Sequence, residues 1–244
     1  MIASGDNKFV FVVPMFNASK TLSRMLHSVC GQSYENWKLI LIDDVSNDNE
    51  KNECRKIINQ FKNLYEDKIL DIWNYYKKWE VENVLNGISL CDNNDIICRL
   101  DADDWLTDLD GLAIIDSAYK QTNCEILWTA HRWGFSDKNI SAAMPNDADP
   151  YKYPWVSSHL KTFRKYLLNY VNIENYKNQN GEFVKRAGDQ AIYLPALSKT
   201  NKRFFLPRVI YHYTIDDIPE TYQTDDAKFQ KSEAEFLRFR GFVK

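Results

Sequence analysis

Apolar residues along the first hundred positions fall alternately into short continuous runs and helical spacings. Phe9-Val10-Phe11-Val12-Val13 is unbroken and stops at Pro14, as a strand buried on both faces does. From Ser19 onward, Leu22, Met25, Leu26 and Val29 recur at helical intervals, with Ser19 or Asn17 available as N-cap. Lys38-Leu39-Ile40-Leu41-Ile42 predicts a second strand that ends at Asp43-Asp44, and Cys54, Ile57, Ile58, Phe61 and Leu64 predict a second helix. A strand over 68–73, a helix over 80–90 and the apolar run 95–100 complete the alternation. Such alternation implies a parallel sheet with helices on its faces, an α/β fold.

The pattern fades over 136–153, where Asp, Asn, Pro and Lys predominate, and this divides the chain into halves at 1–135 and 136–244 within one domain. Beyond it, Leu160, Phe163, Tyr166, Leu167 and Tyr170 predict an amphipathic helix that also carries Lys161, Arg164 and Lys165. Residues 190–197 predict a shorter helix broken by Pro195, Val209–Ile215 alternates like a strand, and Phe229, Ala234, Phe236, Leu237 and Phe239 predict a docking helix. No apolar run approaches the roughly 18 residues that cross a bilayer, and the opening Met-Ile-Ala-Ser-Gly-Asp has no signal-peptide pattern. Five cysteines, odd in number and without CxxC spacing, predict reduced thiols and a cytoplasmic setting.

A formal net charge of −3 conceals an asymmetry. Residues 151–213 hold 11 Lys and Arg against Glu174, Glu182 and Asp189, a net of +8. That surplus either recruits an anionic partner or is neutralised by acids that the other half brings close in space.

Chemistry concentrates at Arg99-Leu100-Asp101-Ala102-Asp103-Asp104-Trp105-Leu106, where acids follow an apolar run. Carboxylates at the C-terminal end of a parallel strand project into the crevice where such sheets bind ligands. Asp101 and Asp103, two apart, face one side of an extended exit and suit Mn²⁺ or Mg²⁺; a loop capping the next helix is the alternative. Asp43-Asp44 occupies the same edge, where a carboxylate can accept from a base or ribose. No glycine-rich phosphate loop of either common kind occurs in the chain, so a metal is the natural partner for a diphosphate.

These residues carry a family resemblance. Residues 12–48 (VVPMFNASKTLSRMLHSVCGQSYENWKLILIDDVSND), followed by RLDADDWL at 99–106, resemble the opening and DxD segments of family 2 glycosyltransferases of the GT-A fold. The resemblance covers about 95 residues and implies an inverting, metal-dependent transfer of one sugar from a nucleoside-diphosphate sugar to a hydroxyl acceptor. A neutral glycan or glycan precursor comes first and a hydroxylated base in nucleic acid second. A non-catalytic nucleotide-sugar-binding protein is the competing class.

By the resemblance, Pro14 and Asn17 fall in the donor loop, Asp43 meets the base with Asp44 beside it, Asp101 meets the ribose or a metal-bound water, and Asp103 holds the metal. Val45 stands where glycine is usual. Asp189, in Arg186-Ala187-Gly188-Asp189-Gln190, matches the base, with Gly188 in place of the usual acid and a helix N-cap as the other role. His212 is a candidate further metal ligand. Trp133 and His159 are candidates for lining the acceptor side.

Overall fold

The computed structural model describes residues 6–214 and 224–244. Met1–Gly5 of the opening segment and Ile215 of the expected strand lie outside the described residues.

One mixed eight-stranded sheet organises the fold. Its strands are β1 (Phe9–Met15), β2 (Trp37–Asp43), β3 (Ile69–Trp73), β4 (Ile96–Arg99), β5 (Trp105–Leu106), β6 (Ile126–Trp133), β7 (Lys161–Arg164) and β8 (Arg203–Tyr213), in the spatial order 3-2-1-4-7-6-8-5. The pairs β3-β2, β2-β1 and β1-β4 are parallel, so their C-terminal ends share one edge. β7 then runs antiparallel between β4 and β6 and joins the two halves of the chain in one sheet.

Period-two alternation separates two apolar layers. Phe9, Phe11, Val13, Leu39, Leu41, Ile96 and Cys98 pack against α1 (Ser19–Cys30), α2 (Asp48–Tyr65) and α4 (Gly111–Thr122). Val10, Val12, Ile40, Ile42 and Ile97 pack against α3 (Trp79–Ser89), α5 (Gly188–Ser198) and α6 (Asp225–Arg240). By the same parity Arg99, the last residue of β4, falls on the side of α3 and α5. Its guanidinium donates to Val12 O at 2.8 Å and to Glu80 at 2.8 Å.

Three expectations are corrected. Residues 160–170 are not a helix: 161–164 form β7 and 165–168 a single 3-10 turn. Pairing on both edges decides this, because β7 satisfies its backbone against β4 and β6, and Tyr119 and Tyr193 hydroxyls bond Thr162. Pro195 does not break its helix; α5 continues to Ser198, with Ala191 to Leu197 all buried. The last strand begins at Arg203, and register shifts opposite Thr129 and Ala130 let Pro207 pass without its missing N–H interrupting the ladder.

The cap expected at α1 also differs. Ala18 precedes the helix without a side-chain cap, while Glu50 of α2 accepts the Ser19 amide at 3.0 Å. On the tail helix Leu237 docks, whereas Phe239 is exposed.

Candidate active site

A cleft of about 1140 Å³ opens at the C-terminal edge of β1, β2 and β4. Pro14 and Asn17 after β1, Asp44 and Val45 after β2, and Asp101 and Asp103 after β4 all line it. The opposite wall comes from Glu80 and Asn83 of α3, Lys185 and Arg186 before α5, and Tyr213 at the end of β8.

The two loops on the strand side are stapled together. Asn17, at φ +50°, donates its amide to Ser46 Oγ at 2.8 Å and accepts the Asn47 amide at 3.2 Å through its side chain. Asp44 accepts the amides of Lys78 and Trp79 at 2.7 and 3.0 Å, so it anchors the start of α3 at the rim. Asp43 is fully buried and accepts the Ser46 amide at 3.1 Å, while its Oδ1 has no hydrogen-bond partner among the described residues. By strand parity Asp43 turns toward the α1–α2 layer, and it is Asp44 that reaches the cleft wall.

Between β4 and α5 two cations meet three carboxylates. Arg99 lies 2.8 Å from Glu80 and 3.3 Å from Asp101. Lys161, 1% exposed, lies 2.8 Å from Asp189. Burial opposes ionisation of Asp189, but Lys161, His159 and Arg99 together outweigh burial and hold the carboxyl well below its ordinary range. Glu80 moves the other way: burial, with the charges of Asp189 and Asp101, overcomes Arg99 and raises it to about 7. Burial likewise raises Asp101.

Asp189 is not a helix cap. Ala187 occupies the N-cap position without a side-chain bond, and Asp189 sits in the first turn with its carboxylate turned to Lys161.

His159 stacks between Tyr211 and Tyr213, with ring centroids 4.6 and 4.9 Å away. Burial, then Lys161, pushes its pKa well below the usual imidazole value. Lys161 Nζ lies 3.1 Å from Nδ1, and an ammonium only donates, so Nδ1 accepts and Nε2 bears the hydrogen. Nε2 points toward Asp189 at 3.8 Å.

The DxD loop is tied to the end of β8. Asp104, 1% exposed, accepts Tyr211 Oη at 2.5 Å and the Thr214 amide at 2.6 Å, and burial raises it to about 8. Among the described residues, Asp101, Asp104 and His159 hold potential ligand atoms within 4.8 Å of one another. Asp104 has both oxygens engaged, and the His159 tautomer leaves no free lone pair, which leaves Asp101 as the hard oxygen donor of that group at the cleft, with Asp103 lining the same cleft two residues on.

His212 is not brought to these acids. It stacks on Trp105 with centroids 3.5 Å apart, and the Arg24 guanidinium covers that tryptophan's ring at 3.7 Å. Strand alternation turns it opposite Tyr211 and Tyr213, the residues that face the acid side, and this removes it from the metal position expected for it.

Most cations of 151–213 are matched by acids or carbonyls. Lys152, Lys161, Lys177, Lys185, Arg186, Lys202 and Arg208 pair with Asp149, Asp189, Glu174, Glu182, Asp226, Glu125 and Asp108 respectively. Buried Arg203 is spent on the carbonyls of Leu197 and Ala148. The charge surplus therefore supplies no argument for an anionic acceptor.

Sequence reading missed Glu80, Arg99 and Lys161 as members of the site. Arg99 alone had a local signal, a cation at the end of an apolar strand; Glu80 and Lys161 have none.

The family model described as Glycosyl transferase family 2 matches residues 10–171. The Bacillus subtilis (strain 168) protein named "Putative glycosyltransferase EpsE" is 34% identical over 97 residues, which cover 40% of this chain and 33% of EpsE. Among solved structures, S. aureus TarS 1–349 in complex with UDP-GlcNAc aligns at TM-score 0.66 and 16% identity over 89% of this chain and 61% of TarS. The mannosyltransferase PcManGT from Pyrobaculum calidifontis, in complex with GDP-Man and Mn²⁺, aligns at 0.68 and 13% over 98% of this chain and 66% of its own. The chain thus spans a third of EpsE and under two thirds of either solved chain.

Proposed function

The chain belongs to glycosyl transferase family 2 and has the GT-A fold, and from that premise we propose that it transfers one sugar from a nucleoside-diphosphate sugar to a hydroxyl acceptor with inversion. The observation that carries this reading is the cleft itself. Acids at the ends of two parallel strands, Asp44 after β2 and Asp101 and Asp103 after β4, line one wall, while Glu80 lines the other and Asp189, paired with Lys161, lies close enough behind it to raise its pKa.

Donor-side roles follow the strand edge. Pro14, Asn17, Asp43 and Asp44 belong to the base and ribose end, and Asp43 Oδ1 is a buried acceptor suited to an N–H. Asp101 and Asp103 would hold Mn²⁺ or Mg²⁺, which when bound offsets charge on the diphosphate.

On the acceptor side, Asp189 takes the proton of the attacking hydroxyl. The new bond forms at the anomeric carbon, the bond from that carbon to the phosphate oxygen breaks, and the electron pair leaves on the nucleoside diphosphate. Lys161 fixes the carboxylate, at a cost to its basicity, and His159 stays neutral beside it. With most cations of the basic stretch paired to acids, a neutral glycan or glycan precursor remains the first-choice acceptor. Among the described residues no helix is long and apolar enough to cross a membrane.

UDP-GlcNAc and GDP-Man, each with Mn²⁺, test the proposal through nucleotide release and calorimetric binding of UDP and GDP. Asp103→Ala is expected to lower turnover on the order of a hundredfold or more and to abolish the Mn²⁺-dependent part of nucleotide binding, with an unchanged circular dichroism spectrum. Retention of metal-dependent binding by Asp103→Ala removes that residue from the metal site.

A further inference from the structure

Gly188 opens α5 one residue before Asp189, and its φ is not left-handed, so no backbone conformation demands a glycine there. Space demands it. A Cβ built on Gly188 would fall inside the Glu80 carboxylate, which reaches across from the first turn of α3. The two helices pack so that this carboxylate rests on the backbone beside the proposed base.

Only one Glu80 oxygen is spoken for. Arg99, 2% exposed, donates to Oε1 at 2.8 Å from the buried side and holds the side chain in place. Oε2 has no hydrogen-bond donor among the described residues, and Glu80 lines the cleft. A carboxylate oxygen held at a cleft wall is an acceptor that calls for an O–H or N–H from the ligand.

We propose that Glu80 is a second acceptor-contacting residue: Oε2 accepts the hydrogen bond of a hydroxyl adjacent to the one that attacks, and Gly188 keeps the space that allows it. This rests on the transferase reading above and narrows its acceptor class to polyhydroxylated compounds, sugars or polyols. An attacking hydroxyl has one hydrogen, which goes to Asp189, so Glu80 needs a neighbouring hydroxyl. When water attacks, its second hydrogen fills that place, which makes donor hydrolysis a usable probe.

The test uses the full chain with Mn²⁺ and UDP-GlcNAc or GDP-Man, whichever wild type splits, and measures nucleotide release without added acceptor. Glu80→Gln keeps an oxygen for Arg99 and turns an amide N–H₂ toward the cleft. It is expected to lower kcat for hydrolysis about tenfold or more, with donor KM and nucleotide affinity within about twofold of wild type. Gly188→Ala, by displacing Glu80, should reproduce the defect, and Glu80→Ala/Gly188→Ala should be no slower than Glu80→Ala.

Hydrolysis by Glu80→Gln at the wild-type rate overturns the proposal. So does a loss that tracks nucleotide affinity, or a Gly188→Ala defect that adds in full to that of Glu80→Ala. A wild-type chain that neither binds UDP or GDP nor splits either donor overturns the transferase reading instead.

Discussion

Val45 holds a β-branched side chain at φ +65°, a left-handed conformation that costs an ordinary L-residue roughly 1–2 kcal/mol. It does so at the cleft wall, in the turn where Asp43 and Asp44 are spent on backbone amides. Val45→Gly relieves that strain and returns part of it as unfolded-state entropy, so it is expected to raise stability by about 1 kcal/mol. An unchanged or lower midpoint in chemical denaturation would refute that expectation. Asp189→Asn removes the proposed proton acceptor but leaves an oxygen for Lys161, and kcat should fall about 10²–10⁴-fold with donor affinity retained. Wild-type kcat in Asp189→Asn would move the base elsewhere. At this scale Asp101 and Asp103 were legible from the sequence because strand and acids are contiguous. Glu80 and Lys161 were not, since nothing local distinguishes them from a helix-surface glutamate or a helix-face lysine. Lys161, expected on a helix, is instead a buried ion-pair partner, because β7 turns it inward.

Among the elements, β1, α1, β2, α2, β3, α3 and β4 fall where apolar spacing predicts them, because each buries its own periodic face against one sheet. α3 packs closely enough that Gly87 lies against β1 and β2: an added Cβ would stand 2.5 Å from Val12 Cγ1 and 3.1 Å from Ile42 Cδ1. Gly87→Ala should therefore cost about 1–3 kcal/mol by overpacking, and because α3 carries Glu80 it should also slow turnover. A denaturation midpoint equal to wild type would show that the layer yields at no cost. The pattern misled over residues 160–170, whose apolar positions at three- and four-residue intervals suit a helix. Hydrogen bonding to β4 and β6, separated by tens of residues in sequence, makes 161–164 a central strand, and no local propensity reports such pairing.

For the molecule as a whole, two buried imidazoles work against stability on acidification. Burial, helped by Lys161, lowers His131 to about 4 and also holds His159 well below its ordinary value. Both are neutral when folded and take up protons near pH 6.5 when unfolded, so their contribution is full above that pH and is lost as pH falls toward the folded values. His131 alone implies a loss of about 2 kcal/mol between pH 7 and pH 5, and His131→Gln should flatten part of that slope in denaturation series at the two values. The raised carboxyls of Asp104 and Glu80 act in the opposite sense over this range, so the readout is the difference between wild type and variant, and an equal pH slope in both would contradict a neutral buried His131.

The sequence by itself determined the alternating α/β order, the strand edge and the acids on it, since those follow from periodicity and adjacency. Only the tertiary structure decided which carboxylates meet which cations, that His212 turns from the acids while His159 joins them, and that most cations of the basic stretch find acids. Those outcomes depend on strand pairing and helix packing between distant segments, where one residue of register or one missing Cβ redirects a charge.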